Sequence, residues 1–181
     1  AAIATTGPRS GGYGRRAKDS ARADAIKQEV GDAYVSVKEL RFAGGAKGDG
    51  LNDDTRAIQA AIDAAPIIFI PSGIYRLTGQ IKIPSNRRVF GEGDRSILKK
   101  SDQMIDRLII NSDKINGNIK IIMESFVIDG NRSAGIYVPL KDGLCFSGCS
   151  ETIIRNVTVR DCLNNGIIIE YGSSNQVSQC I

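Results

Sequence analysis

The side chains best suited to chemistry in this 181-residue chain are carboxylates, because it contains no histidine and its four cysteines all fall in the last quarter. Asp53 and Asp54 are adjacent in the stretch AKGDGLNDDTRAIQAAIDAA, and Glu124, Asp129, Asp142, Glu151, Asp161 and Glu170 follow. Two carboxylates can share acid and base duties across a bond. No pair among the later six recurs at one phase of the sequence, so each reads first as a turn residue or a solvated face. Cys145, Cys149, Cys162 and Cys180 lack the paired CxxC spacing and histidines of a zinc site. They read as small apolar residues, and neither a metal nor a cofactor is expected.

The elements around the aspartate pair give it a different task. From Thr55 onward Ala57, Ile58, Ala61, Ile62 and Ala65 repeat as one helical face. A carboxylate just ahead of that face caps the first exposed amides and meets the positive end of the helix dipole. Asp53, Asp54 and Thr55 are therefore assigned to a structural helix cap, and no catalytic residue is named. Gly44, Gly45, Gly48 and Gly50 let the chain turn sharply before the cap, and Pro66 ends the helix.

Beyond Pro66 the period changes to short apolar or alternating runs: IIFI, IYRL, IKI, VF, SIL, LII, IKII and FVI, separated by PSG, PSN, GEG and DGN. GLCF at 143–146 recurs as GIII at 166–169, and Ile154 recurs as Val177, both at an offset of 23. ESFVID resembles RNVTVR at 31, which places an eight-residue insertion within NRSAGIYVPLKD. Short strands at such a period, with no helix inside the repeat, predict an all-β solenoid. The form expected is a single-stranded parallel β-helix of about five coils over 66–181, its end capped by the short amphipathic helix at 54–65. Asn156, Asn164, Asn165 and Asn175 suit turns that need a left-handed backbone.

The net charge of +4 is carried by Arg9, Arg15, Arg16 and Lys18, with no acid before Asp19. This basic arm, irregular through residue 16, reads as a segment that docks on a partner, with nucleic acid the lesser alternative. A helix from Ala17 to Val30 follows, with Ala17, Ala21, Ala25, Ile26 and Val30 as a narrow stripe. No run is long and apolar enough for a membrane span, and the first residues lack the apolar core of a signal peptide.

VSVKELRFAGGAKGDGLNDDTRAIQAAIDAAPIIFIPSGIYRLTGQIKIPSNRRVFGEGDRSILK resembles the first module of the pectate-lyase-like superfamily of right-handed parallel β-helices. The resemblance covers Val35 to about Lys99, and FVIDGN, FSGC and the repeated coils extend it toward the C-terminus. KELRFAGGAKGDG departs from it by being longer than the usual KDFGAKGDG. A basic arm and helix ahead of VSVK make the chain similar to bacteriophage tailspikes. That likeness implies a homotrimer, residues 1–34 attaching to other virion tail or baseplate proteins, and residues 35–181 beginning a β-helix that binds and cleaves a bacterial surface polysaccharide. The NTD, GHG and RIK elements of the polygalacturonase branch are absent, and its DD occurs only at the helix cap, so that active site is not expected within these residues. Tyr75, Tyr137 and Tyr171 are candidates to stack on sugars. The chain stops at Ile181, partway through the coil that starts at Gly166, and the expectation is the virion-proximal part of a longer spike. A structural adaptor and a cellular pectin-acting enzyme are the alternative readings.

Overall fold

The computed structural model describes residues 12–104, 106–132 and 142–181. Helix α1 (Gly12–Val30) leads through a single 3₁₀ turn to strand β1 (Val35–Ser36), strand β2 (Asp49–Asp53) and helix α2 (Thr55–Ala64). Three strands per coil follow. They are β3 (Ile67–Ile70), β4 (Gly73–Leu77) and β5 (Ile81–Ile83), then β6 (Arg87–Gly91), β7 (Ser96–Lys100) and β8 (Ile109–Asn111). The next coil holds β9 (Ile121–Glu124), β10 (Val127–Asp129) and β11 (Leu144–Ser147), and the last β12 (Ile153–Arg155), β13 (Thr158–Arg160) and β14 (Ile167–Glu170), before β15 (Gln176–Ser178).

β3 and β4 stack in parallel on β1 and β2, and from β6 onward each strand stacks in parallel on the one three before it. Sheet A runs β1-β3-β6-β9-β12-β15, sheet B β2-β4-β7-β10-β13 and sheet C β5-β8-β11-β14. The fold is a parallel β-helix. Its register reproduces the sequence repeat: Leu144 lies opposite Ile167, Ile154 opposite Val177 and Asp129 opposite Arg160.

Side chains alternate across each strand, so one ladder per sheet points inward. Ile68, Val89, Met123 and Ile154 fill the core from sheet A, Tyr75, Leu98 and Ile128 from sheet B, and Ile81, Ile109 and Leu144 from sheet C. Helix α2 adds Ala57, Ile58, Ala61 and Ile62 to this same core, against β3 and β5. At φ +65°, Gly48 presses its backbone on the Tyr75 ring, where a Cβ has no room.

Several local expectations are corrected. Residues 12–16 are helical rather than irregular, because glycines weaken a helix by only about 1 kcal/mol each once docked residues further along have nucleated it. The packed face of α1 is Ala23, Ile26 and Val30, whereas Ala21 and Ala25 are exposed. Asp49–Asp53, read as part of the turn before the helix, pairs with β4 as the first strand of sheet B. Of the four turn asparagines only Asn156 is left-handed (φ 53°), and the corresponding turns use Ser125 and Gln179. Asn164, Asn165 and Asn175 serve through their side-chain amides.

Candidate functional site

A β-helix can offer its outward ladders to partners; on sheet C the outward ladder is exposed at Lys82 and buried at Ile110 and Cys145. Its rungs are Lys82, Ile110, Cys145 and Ile168. At the Lys82 end a depression of about 570 Å³ is lined by Gln80, Lys82, Ser112, Asp113, Lys114 and Ile115, with Ile110 and Asn111. The rim at 112–118 is stiffened from within. Asn111, fully buried, donates to the Asp113 carbonyl, Asn118 Oδ1 and the Ser147 carbonyl, and accepts from the Ser147 amide. Asp113 turns its carboxylate onto the amides of Ile115 and Asn116, which hold its pKa below the ordinary value. The ammonium groups of Lys82 and Lys114 are thus left without a hydrogen bond or ion pair among the described residues.

On the opposite side of the ladder Arg107 is fixed by Asp142, a buried carboxylate whose Oδ2 accepts from Nε at 2.8 Å. The other oxygen of Asp142 accepts from the Asn164 side chain and from the Asn165 amide and side chain, so one residue joins three successive coils. Burial pushes the Asp142 carboxyl up, but Arg107 and these amides outweigh it and hold it low. Burial raises the Cys145 thiol pKa, although Arg107 opposes it, which favours the protonated form. Glu170 ends the face, near enough to act on both Arg107 and Cys145. A face with two lysines, an arginine paired with Asp142, side-chain amides, a hydroxyl and the carboxylates of Asp113 and Glu170 can hold a hydroxyl-rich or anionic chain; Asp113 and Asp142 are both engaged in hydrogen bonds.

The other acids are engaged elsewhere. Glu124, on the outer face of sheet A, accepts from Arg88 Nε at 2.6 Å and Arg155 Nε at 2.5 Å. Asp129 pairs with its register partner Arg160 at 3.0 Å on sheet B. Glu151 and Asp161 occupy left-handed turns at φ 55° and 53°. Tyr75 is fully buried with its hydroxyl donating to the Pro71 carbonyl, which removes it as a sugar platform; Tyr171 is exposed, and Tyr137 lies outside the described residues.

The sequence profile of the rhamnogalacturonase A/epimerase, pectate lyase-like family matches residues 34–181. The chain belongs to that family. It is 34% identical over 156 residues to the pre-neck appendage protein of Bacillus phage phi29, across 81% of this chain and 18% of that protein. The crystal structure of the N-terminal fragment of bacteriophage phi29 gene product 12 superposes with a TM-score of 0.68 at 30% identity, over 81% of this chain and 25% of that one. Alginate lyase 7 of Azotobacter vinelandii is 34% identical over 139 residues, 63% of this chain and 16% of that enzyme. The chain thus spans about a fifth of the length of the phage relatives it matches.

Within this pectate-lyase-like β-helix, the two aspartates of the DDT motif divide their work. Asp53 Oδ1 accepts from the Thr55 amide at 3.1 Å and hydroxyl at 2.5 Å, and Oδ2 accepts from the Thr78 hydroxyl at 2.6 Å, tying the start of α2 to the next coil. Asp54 stands at the N-cap position but bonds no helix amide. Its buried carboxylate accepts instead from the Lys47 and Gly48 amides at 2.6 and 3.0 Å and pins the glycine turn. Arg9 lies outside the described residues, Arg15 and Arg16 are in the first turns of α1, and Lys18 is exposed on that helix. Sequence reasoning did not single out Lys82, Lys114 or Arg107. The middle lysine of IKI, between two inward isoleucines, was the signal for the first; nothing local marks the other two.

Proposed function

We propose that the chain is part of a phage tail appendage of the tailspike type, in which residues 1–34 attach to other virion tail or baseplate proteins and the β-helix binds a bacterial surface polysaccharide. The observation that carries this reading is the likeness to the phi29 appendage protein, in sequence and in fold, over four-fifths of the chain. The depression at the end of sheet C supports the polysaccharide, because Lys82 and Lys114 offer charge-assisted donors beside the amide of Gln80 and the hydroxyl of Ser112. Degradation of that polysaccharide belongs to the whole protein as a homotrimer, with its bond-cleaving groups outside these residues. Here Glu124, Asp129 and Asp142 are each held by arginine.

Two measurements test this. Antibodies raised against the chain should decorate phage tails in electron micrographs, and absence of label from tails refutes attachment. Capsule or lipopolysaccharide should bind the chain without release of reducing ends or unsaturated uronate, whereas no binding leaves a structural adaptor and cleavage moves the active site into these residues.

A further inference from the structure

Helix α1 is held to the β-helix by contacts separate from the main core. Phe69 and Phe90 are register partners that point outward from sheet A, and with Ile26 they form a cluster of their own, ringed by Val30, Tyr34 and Ile67. Tyr34 meets both rings edge-on, at centroid distances of 5.6 and 5.8 Å. A satellite cluster of this size opens at lower cost than a continuous core.

The polar tethers of α1 have the same character. Lys27 lies 3.9 Å over the Phe69 ring and 3.6 Å from Glu92, and Arg95 donates to the Ser20 hydroxyl. Arg88 donates to both oxygens of Glu29 at 2.8 and 3.0 Å while holding Glu124 on its other side. The side chain of Glu29 is 62% exposed and that of Glu124 only 2%, so Arg88 has one exchangeable partner and one permanent one. Where α1 ends, Gly31 adopts φ +57°, a conformation glycine takes readily, with open space where a side chain would stand.

We propose that α1 is a releasable strap. It swings about Gly31 and lifts Ile26 and Glu29 off sheet A, uncovering Phe69 and Phe90, while the Arg88–Glu124–Arg155 chain keeps the coils stacked beneath it. A carboxylate of a partner that competes for Arg88 favours the open form. The strap does not depend on what the N-terminal arm attaches to.

Hydrogen exchange read by mass spectrometry on the 181-residue chain tests the strap. Ile26→Ala should speed exchange across 20–30 by more than about tenfold, and Glu29→Gln, which removes only a mostly exposed charge, by roughly two- to fivefold. Peptides covering β9 and β12 should keep the wild-type rate in both variants. Acceleration of β9 and β12 together with α1 in Glu29→Gln overturns the proposal, because α1 is then one cooperative unit with the coils, and so does unchanged exchange in α1 in both variants.

Discussion

The Glu124 carboxylate bridges Arg88 and Arg155, residues on the strands either side of its own, so that one buried acid ties three consecutive rungs of sheet A. Removing it takes the carboxylate from Arg155 and leaves Arg88 with the exposed Glu29 alone. Glu124→Ala should lower unfolding free energy by about 3 kcal/mol, the low end for a broken buried pair because Arg155 can reach water. Urea denaturation measures it, with Glu29→Gln, expected to cost under about 1 kcal/mol, as the exposed comparison.

Asp142 should give the chain an acid-sensitive joint. Its folded pKa lies below the ordinary 3.8, so its stabilising contribution is present above that value and is lost as pH falls through the folded one. The stability gap between wild type and Asp142→Asn should therefore be widest near neutrality and shrink below about pH 4, followed by the urea midpoint against pH. A gap independent of pH would show that the side-chain amide replaces the carboxylate fully.

Gly172 has no space for a side chain. A Cβ there would collide with the Cys149 carbonyl oxygen and crowd Asn175, which ties two coils together through the Thr152 amide and that same carbonyl. Gly172→Ala should destabilise the chain by about 2 kcal/mol, while Gly44→Ala, with no atom in the way, costs only the strain of its positive φ. Thermal melts of the two variants make the comparison.

Reversing charge at the depression on sheet C, as Lys82→Glu with Lys114→Glu, should weaken binding of an anionic polysaccharide by at least about tenfold and leave the melting temperature within a few degrees. Affinity electrophoresis against capsule gels reads the first quantity and calorimetry the second. Unchanged mobility would move the binding face to another sheet.

Asp53→Ala should cost about 1 kcal/mol through loss of the Thr55 amide bond. Asp54→Ala should cost more, because it leaves the Lys47 and Gly48 amides unpaired in a buried turn. Equal losses in denaturant midpoints would mean that the two aspartates act as one cap.

The coil register could be read from residues because stacked turns require like residues at like phase, and Ile154 above Val177 is that requirement made visible. Strand β2 could not. DGLND has a single large apolar residue, Leu51, which is 80% exposed; the segment is a strand because β4 lies beside it. The partners of the acids were equally hidden. Arg88 and Glu124 stand 36 residues apart, and their meeting depends on a side-chain phase that one coil alone does not reveal. Ile26 is legible as apolar, but the outward aromatic pair that receives it becomes evident only once Phe69 is seen to alternate with the inward Ile68 and Ile70.

The separation between sheet B partners Asp129 and Arg160 is 31, whereas the sheet C partners Leu144 and Ile167 return after 23. All the difference is absorbed at the corner between β10 and β11, while the corner between sheets A and B keeps two residues in these coils, Ser125-Phe126 and Asn156-Val157, and lengthens to four only between β6 and β7. The corner from sheet B to sheet C therefore acts as a splice point, running from three residues before β5 to fourteen before β11, and the corner from sheet A to sheet B as the steadier gauge. The coils keep their stacking while the splice corner changes length, so each turn of this protein can carry a loop of its own size on the same edge.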